Sequence, residues 1–298
     1  MNHWPPKKIL VAVDSSRQSQ NAWRWSRALA SRLGAALKGI YVHQTIVWPG
    51  VDYLAEVEWR KAKSTIVRRI KSFLGRGRLA VGNGHPPTSI IQAAHRFKAD
   101  LIVMGTHGRR GLEHAVLGSV VESVIRYSPA PVLTVKIKPA HVRSILVPVN
   151  FTPYAQAALE AAARLAKAMR ARLVLLHVVP SLKKVAFLSD EFKDMISRLP
   201  ADVRPEAPIA TLVRQGKSPV RVIVAESQKH QLVVMAAHKK FVLKDFVLGM
   251  TVQQVLRLSK APVLALPAPR AAGAGRRLKN RRLNLADHWE GRAFVNVS

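Results

Sequence analysis

Short apolar runs rich in β-branched residues alternate with longer amphipathic stretches along most of the chain. Ile9 to Val13 is one such run, apolar at every position, which predicts a buried strand. Ser16 to Leu33 then carries a helical period and stops near Gly34. Leu37 to Val42 reads as a second strand, and Val51 to Leu74 as a long, basic, amphipathic helix. Leu79 to Val81 starts a third, weaker strand, and "GHPPTSIIQAAHRF" leads into a third helix. Leu101 to Met104, Ser119 to Tyr127 and Pro131 to Val135 complete the series as strand, helix and strand. Strands alternating with helices at this spacing predict an α/β fold: a mostly parallel sheet with helices on both faces.

The whole pattern then returns. "KKILVAVDSS" (from Lys7) reappears as "RSILVPVNFT" (from Arg143), and "ADLIVMGTHG" (from Ala99) as "HQLVVMAAHK" (from His230). "LGSVVESVIRYSPAPVLTV" (from Leu117) reappears as "LGMTVQQVLRLSKAPVLAL" (from Leu248). Order and spacing match with a shift of roughly 131 to 136 residues, the length of a domain and not of a solenoid unit. In the second copy Thr152-Pro153 supplies an N-cap followed by proline at the first helical position. The expected organisation is two tandem domains, 1–140 and 141–267, joined near Lys138 to Val142, with a tail over 268–298. The tail holds "GAGRRLKNRRLNL", a like-charge block expected to be disordered unless a partner orders it.

Composition changes this picture in two places. There is no cysteine, so disulfides and thiolate metal sites are excluded. No apolar run has the length of a membrane span, and Met1 to Lys8 leads directly into the first strand, so the expectation is a soluble, cytoplasmic protein without membrane insertion. The formal net charge of +31 predicts loose, salt-dependent association with polyanions. Aromatic residues make up only 6% of the chain and no stacking or zinc-finger motif is visible, which argues against a dedicated nucleic-acid reader.

The residues that point to chemistry lie in "MGTHGRRGLEHAVLGS", Met104 to Ser119, and at Asp14. These blocks, with their echoes in the second half, resemble the universal stress protein family in its tandem two-domain form, over nearly everything from Lys7 to Pro267. The resemblance implies two open-sheet α/β sandwich domains of the adenine nucleotide alpha-hydrolase-like kind, each with five strands in the order 3-2-1-4-5. It also implies that many members bind ATP while others bind none. Ligands of such sheets sit beyond the carboxyl ends of the strands at the topological switch point, here between strands one and four. Asp14 ends strand one and Gly105 follows strand four. Gly105 and Gly108 would let backbone N–H groups approach phosphate, and Gly118, Ser119 and Val120 open a helix whose free amides favour an anion. The resemblance carries nucleotide contacts onto Asp14, Val42, Met104, Gly105, Gly108, Gly118, Ser119 and Val120, with Mg2+ arriving on the phosphates. Each residue also has a plain reading. Asp14 would cap the first helix, Gly105 and Gly108 would serve a turn (with backbone strain on substitution if φ is positive), and Gly118-Ser119 would be an ordinary helix start. Arg109 and Arg110 either screen phosphates or face water. His107 recurs as His238, which favours a structural role for it.

The second copy departs from the pattern: Asn150 replaces Asp14, Ala236 replaces Gly105, Lys239 replaces Gly108, and Met250 follows the surviving Gly249. One ATP per chain, in the first domain, is therefore expected. "QGKSP" (Gln215 to Pro219) resembles the end of a phosphate-binding loop but lacks its upstream glycine. No nucleophile–base–orienter set is visible, and His43, His85, His95 and His114 have no metal-ligand spacing. Three readings stay open: an ATP-binding stress or signalling module that docks a protein partner, a slow ATPase on the same site, and a scaffold for an acidic partner. The family resemblance further implies that the fifth strands, Pro131 to Val135 and Pro262 to Leu266, pair as a pseudo-dimer within the chain. A homodimer of chains is also open.

Overall fold

Ile9, Leu10 and Val11 are fully buried because the first strand is covered on both sides. Ile9, Val11 and Val13 join one apolar cluster and Leu10 the other, so side-chain alternation feeds two cores at once. In the computed structural model this strand is β1 (Lys8–Ala12), and it is followed by α1 (Arg17–Leu33), β2 (Ala36–His43), α2 (Tyr53–Leu74) and β3 (Arg78–Asn83). Then come α3 (Pro86–Phe97), β4 (Leu101–Gly105), α4 (Ser119–Tyr127) and β5 (Val132–Val135). The second repeat runs β6 (Ser144–Pro148), α5 (Pro153–Met169), β7 (Arg172–Val179), α6 (Leu188–Ser197), β8 (Ala210–Gln215), α7 (Pro219–Ser227) and β9 (Leu232–Ala237). It ends with β10 (Lys239–Val242), β11 (Asp245–Leu248), α8 (Met250–Leu258) and β12 (Val263–Pro267), and a last strand, β13 (Val295–Val297), closes the chain. The structure describes residues 4–44, 53–106, 117–182, 185, 187–237, 239–242, 245–267 and 295–297.

One eleven-stranded sheet holds both repeats, in the order β13-β3-β2-β1-β4-β5-β12-β9-β6-β7-β8. The first repeat thus has the predicted order 3-2-1-4-5, and the second has the same order read from the other side. Strands within each repeat pair in parallel, with Ala12 opposite both Ile40 and Met104. The two halves meet where β5 and β12 pair antiparallel, Leu133 opposite Leu264. That pairing covers two edges that would otherwise be open to other strands. One core cluster runs through both repeats, from Trp23 and Trp25 to Leu159 and Leu173. Trp4 adds to this seam by donating its indole N–H to the Ala161 carbonyl at 2.8 Å.

Helix ends follow local chemistry. Ser16 caps α1 by accepting the Ser19 N–H, and Gly34 closes it at φ +62°. Thr152 caps α5 ahead of Pro153. The expected disordered tail falls, over 268–294, outside the described residues. Its end forms β13, which pairs antiparallel with β3. Among the described residues no helix is long and apolar enough to cross a membrane.

Candidate functional site

The switch point lies between β1 and β4, whose neighbours continue the sheet in opposite directions. Ala12 is level with Met104, so Asp14 and Thr106 both stand two residues beyond that rung, at the mouth of the crevice. The Asp14 Oδ1 accepts the Ser16 N–H at 2.8 Å, and its carbonyl accepts the Ser19 hydroxyl. Asp14 therefore does not cap α1, as one reading of the sequence had it; Ser16 does, and Asp14 is fixed two residues ahead of the cap. Val42 lies near the end of β2, half-buried and packed with the second core cluster, opposite Gly82. Met104 is buried between Ala12 and Thr134.

Gly105 ends β4 opposite Val135 and is not left-handed, so the backbone strain conditionally expected there does not arise. Its constraint is steric. A Cβ at this position would stand 2.7 Å from the Gln18 Cβ and 3.0 Å from the Gln18 carbonyl carbon. The first turn of α1 thus lies directly against β4. This contact alone explains the glycine, so Gly105 by itself says nothing about phosphate.

Beyond Gly105 the chain leaves the described residues at 107 and re-enters at 117. Gly108, Arg109, Arg110, His107 and His114 lie outside them. The described residues on either side are tied together, because the Gly118 N–H donates to the Thr106 carbonyl at 3.0 Å. Gly118 is the N-cap of α4 at φ −60° and ψ 137°, and no side chain caps the helix. Ser119 is exposed at the first helical position and Val120 is half-buried. The structure thus brings Asp14, Met104, Gly105, Gly118, Ser119 and Val120 to one end of the sheet. An anion there would meet amides that no protein side chain caps.

The second crevice is closed differently. Asn150 accepts the Thr152 hydroxyl at 2.7 Å. Phe151 takes a left-handed backbone, φ +56°, and its ring sits 4.7 Å from that of His177 and 5.2 Å from that of Phe192. Between β9 and α8 the second repeat has the hairpin β10–β11, with Lys239 opposite Leu248. Gly249 caps α8 in nearly the same conformation as Gly118, but the next side chain, Met250, is 73% exposed. The Ser218 hydroxyl of the "QGKSP" stretch caps α7, an ordinary helix start.

Sequence reasoning missed the Gln18 contact, the Thr106–Gly118 tie and the tilted and edge-on aromatic contacts around Phe151. It also missed Lys136, whose ammonium donates to the Arg257 and Ser259 carbonyls at 2.6 and 2.8 Å and so caps α8 across the β5–β12 seam. Burial pulls its pKa down to about 8. Pro267 stands at the same position in the second repeat, so the cap has no counterpart there.

A model of the universal stress protein family matches residues 5–136 and again 141–267. A universal stress protein of Methanocaldococcus jannaschii is 34% identical over 141 residues, which span 44% of this chain and 82% of that protein. A universal stress protein of Mycobacterium tuberculosis is 25% identical over 284 residues, 86% of this chain and 95% of that one. The crystal structure of a universal stress protein from Archaeoglobus fulgidus superposes with a TM-score of 0.70 at 20% identity, covering 89% of this chain and 100% of its own.

Proposed function

The chain belongs to the universal stress protein family, in tandem form, and from that premise we propose that its first repeat binds one ATP per chain while its second binds none. The nucleotide would lie between Asp14 and the start of α4, with Mg2+ carried on its phosphates. One observation carries the reading: α4 begins at a glycine with no capping side chain, beside a strand end that presents an aspartate. Phosphates would take the first-turn amides with the Ser119 hydroxyl, and the carboxylate at Asp14 would accept ribose or adenine hydrogen bonds. Gly105 contributes by letting α1 close on β4, which sets the depth of the crevice, and not by donating to phosphate. The bound state would bias docking of a protein partner, making this a regulatory stress-response module.

Calorimetry of the intact chain with ATP tests the reading. The expected stoichiometry is one, and two or zero would overturn it. The intact chain is the right sample because one core and the β5–β12 ladder run through both repeats. A single-turnover assay with labelled ATP on the same sample separates a binding module, which leaves the nucleotide whole, from a slow ATPase.

A further inference from the structure

At the opposite end of the same sheet the first repeat carries a second cluster of chemistry. Lys8 and Arg78 begin β1 and β3, and Lys38 is the third residue of β2, the strand between them. Leu10, Lys38 and Arg78 share one rung, and Lys8 lies two residues before Leu10 on the same face. All three cations therefore project on the face that α3 covers, just outside the buried Leu10. The half-buried ring of Phe97, the last residue of α3, lies beside two of them: the Lys8 and Lys38 ammonium groups each stand 6.0 Å from its centroid. None of the three cations has an acidic partner within 4 Å among the described residues.

The neighbouring sequence is strongly basic, and the adjacent acid, Asp100, accepts the Lys7 and Lys8 backbone N–H groups at 2.9 Å each. From residue 59 to residue 99 the sequence has ten lysines and arginines and no acid. The corresponding run of the second repeat, between Asp194 and Gln231, contains Asp202, Glu206 and Glu226. In that repeat Ser144, Val174 and Ala210 occupy the places of Lys8, Lys38 and Arg78 in the strand register, and Gln228 that of Phe97. The charge is therefore concentrated, and it is not an even solubilising coat. Attraction to the helix C-terminus accounts for Arg96 and Lys98 at the end of α3, but not for three cations placed on strands.

We propose that this patch binds single-stranded nucleic acid, with phosphates on Lys8, Lys38 and Arg78 and an unpaired base on the Phe97 ring. Cations flanking an aromatic ring are what an unpaired strand needs: charge for its backbone and a flat apolar face for a base. A duplex hides that base face. An anionic membrane would call for exposed apolar side chains to insert, and none of the large exposed ones among the described residues (Tyr127, Ile137, Leu182, Phe187, Met250, Leu258) lies between residues 59 and 99. The patch is roughly 20 Å from Asp14 along β1, at about 3.3 Å per residue, so it is separate from the nucleotide crevice and independent of that reading.

Fluorescence anisotropy of the full chain with a labelled 20-nucleotide oligouridylate, across a salt series, is the test. The Lys38→Val/Arg78→Ala variant places the second repeat's own residues on this sheet and should keep the fold. It should weaken binding at least tenfold at low salt and reduce the slope of log affinity against log salt by about 1.4, two phosphate contacts at about 0.7 each. Phe97→Leu should weaken binding severalfold at an unchanged slope. Lys167→Gln/Arg170→Gln in the second repeat removes the same charge elsewhere and should change affinity less than threefold. Equal losses from the two charge pairs would mean a diffuse field and overturn the proposal. So would absence of binding, tighter binding to the matching duplex, or tighter binding to phosphatidylserine vesicles.

Discussion

At the end of β1, Asp14 takes the Ser16 N–H and stands beside a helix start that no side chain caps. At the end of β6, Asn150 takes the Thr152 hydroxyl, and Phe151 folds over His177 and Phe192. The strands beneath are the same in order and register. The difference shows that this topology supplies only a place for a ligand: a parallel sheet splits at its switch point whether or not anything binds there. What makes a site is the residues around the helix start: α8 also begins at a glycine that no side chain caps, but beside it the second repeat has an asparagine for the aspartate, a packed Phe151 and a hairpin.

The sharpest way to break the comparison is at the two N-cap glycines. Gly118→Val should weaken ATP binding by at least about 100-fold, because a branched side chain at the cap shields several first-turn amides whose bonds to a charged phosphate are worth about 1.5–3 kcal/mol each. Gly249→Val, its twin, should leave ATP affinity unchanged. Calorimetry on both variants checks this, and a loss from the second and not the first would move the site to the other repeat.

Gly105 tests the difference through stability. Ala236 holds the same place in the second repeat, so a methyl is compatible with this strand. In the first repeat the Cβ would meet Gln18 at 2.7 Å, and Gly105→Ala should cost about 1–3 kcal/mol through overpacking. Thermal unfolding should show the loss, and Gln18→Gly should recover part of it. An unchanged melting point would mean that α1 yields freely and that the close approach places no demand on the glycine.

These contacts mark where the sequence was legible and where it was not. The repeat and the strand and helix positions could be read because they follow from apolar period and from local caps such as Thr152-Pro153, whereas the strand order was implied only by the family resemblance. Asp14 and Gly118 could be named because each ends or begins an element. The reason for Gly105 could not, since the distance from Gln18 to β4 depends on how α1 leans on the sheet. Lys8, Lys38, Arg78 and Phe97 are scattered over ninety positions, and only parallel register gathers them. Phe151 looked like an ordinary apolar residue, because nothing in "NFTPY" signals its left-handed backbone.

Lys136 offers a smaller effect on the seam between the repeats. Its pKa falls to about 8 in the folded chain through burial, whereas an unfolded lysine titrates near 10.5. The folded state therefore gives up this proton first, and stability should rise with pH between about 8 and 10.5. A fully desolvated lysine with that shift would gain about 3 kcal/mol; the partial exposure of Lys136 lowers the expectation to about 1 kcal/mol. Denaturant melts across that range should show the rise in the native chain and a smaller one in Lys136→Met. An identical slope in both would place the titrating group elsewhere.

The smallest expected effect is the most specific to the comparison. Lys239 stands where the first repeat has Gly108, and a side-chain account of the difference would predict that Lys239→Gly opens the second crevice. The structure argues otherwise. Lys239 begins β10, whose backbone is laddered to β11 from Lys239–Leu248 to Val242–Asp245, so the amides a phosphate would need are turned into a hairpin. Asn150, Ala236 and Met250 also remain. Lys239→Gly should leave the stoichiometry at one ATP per chain and the affinity of the first site unchanged. Its cost should be no more than about 0.5–1 kcal/mol, the entropy of a glycine in a strand. Calorimetry gives the stoichiometry and thermal unfolding the cost. A second ATP bound by this variant would show that one side chain, and not the hairpin's backbone, closes the second crevice, and the two repeats would then differ by a single residue's bulk.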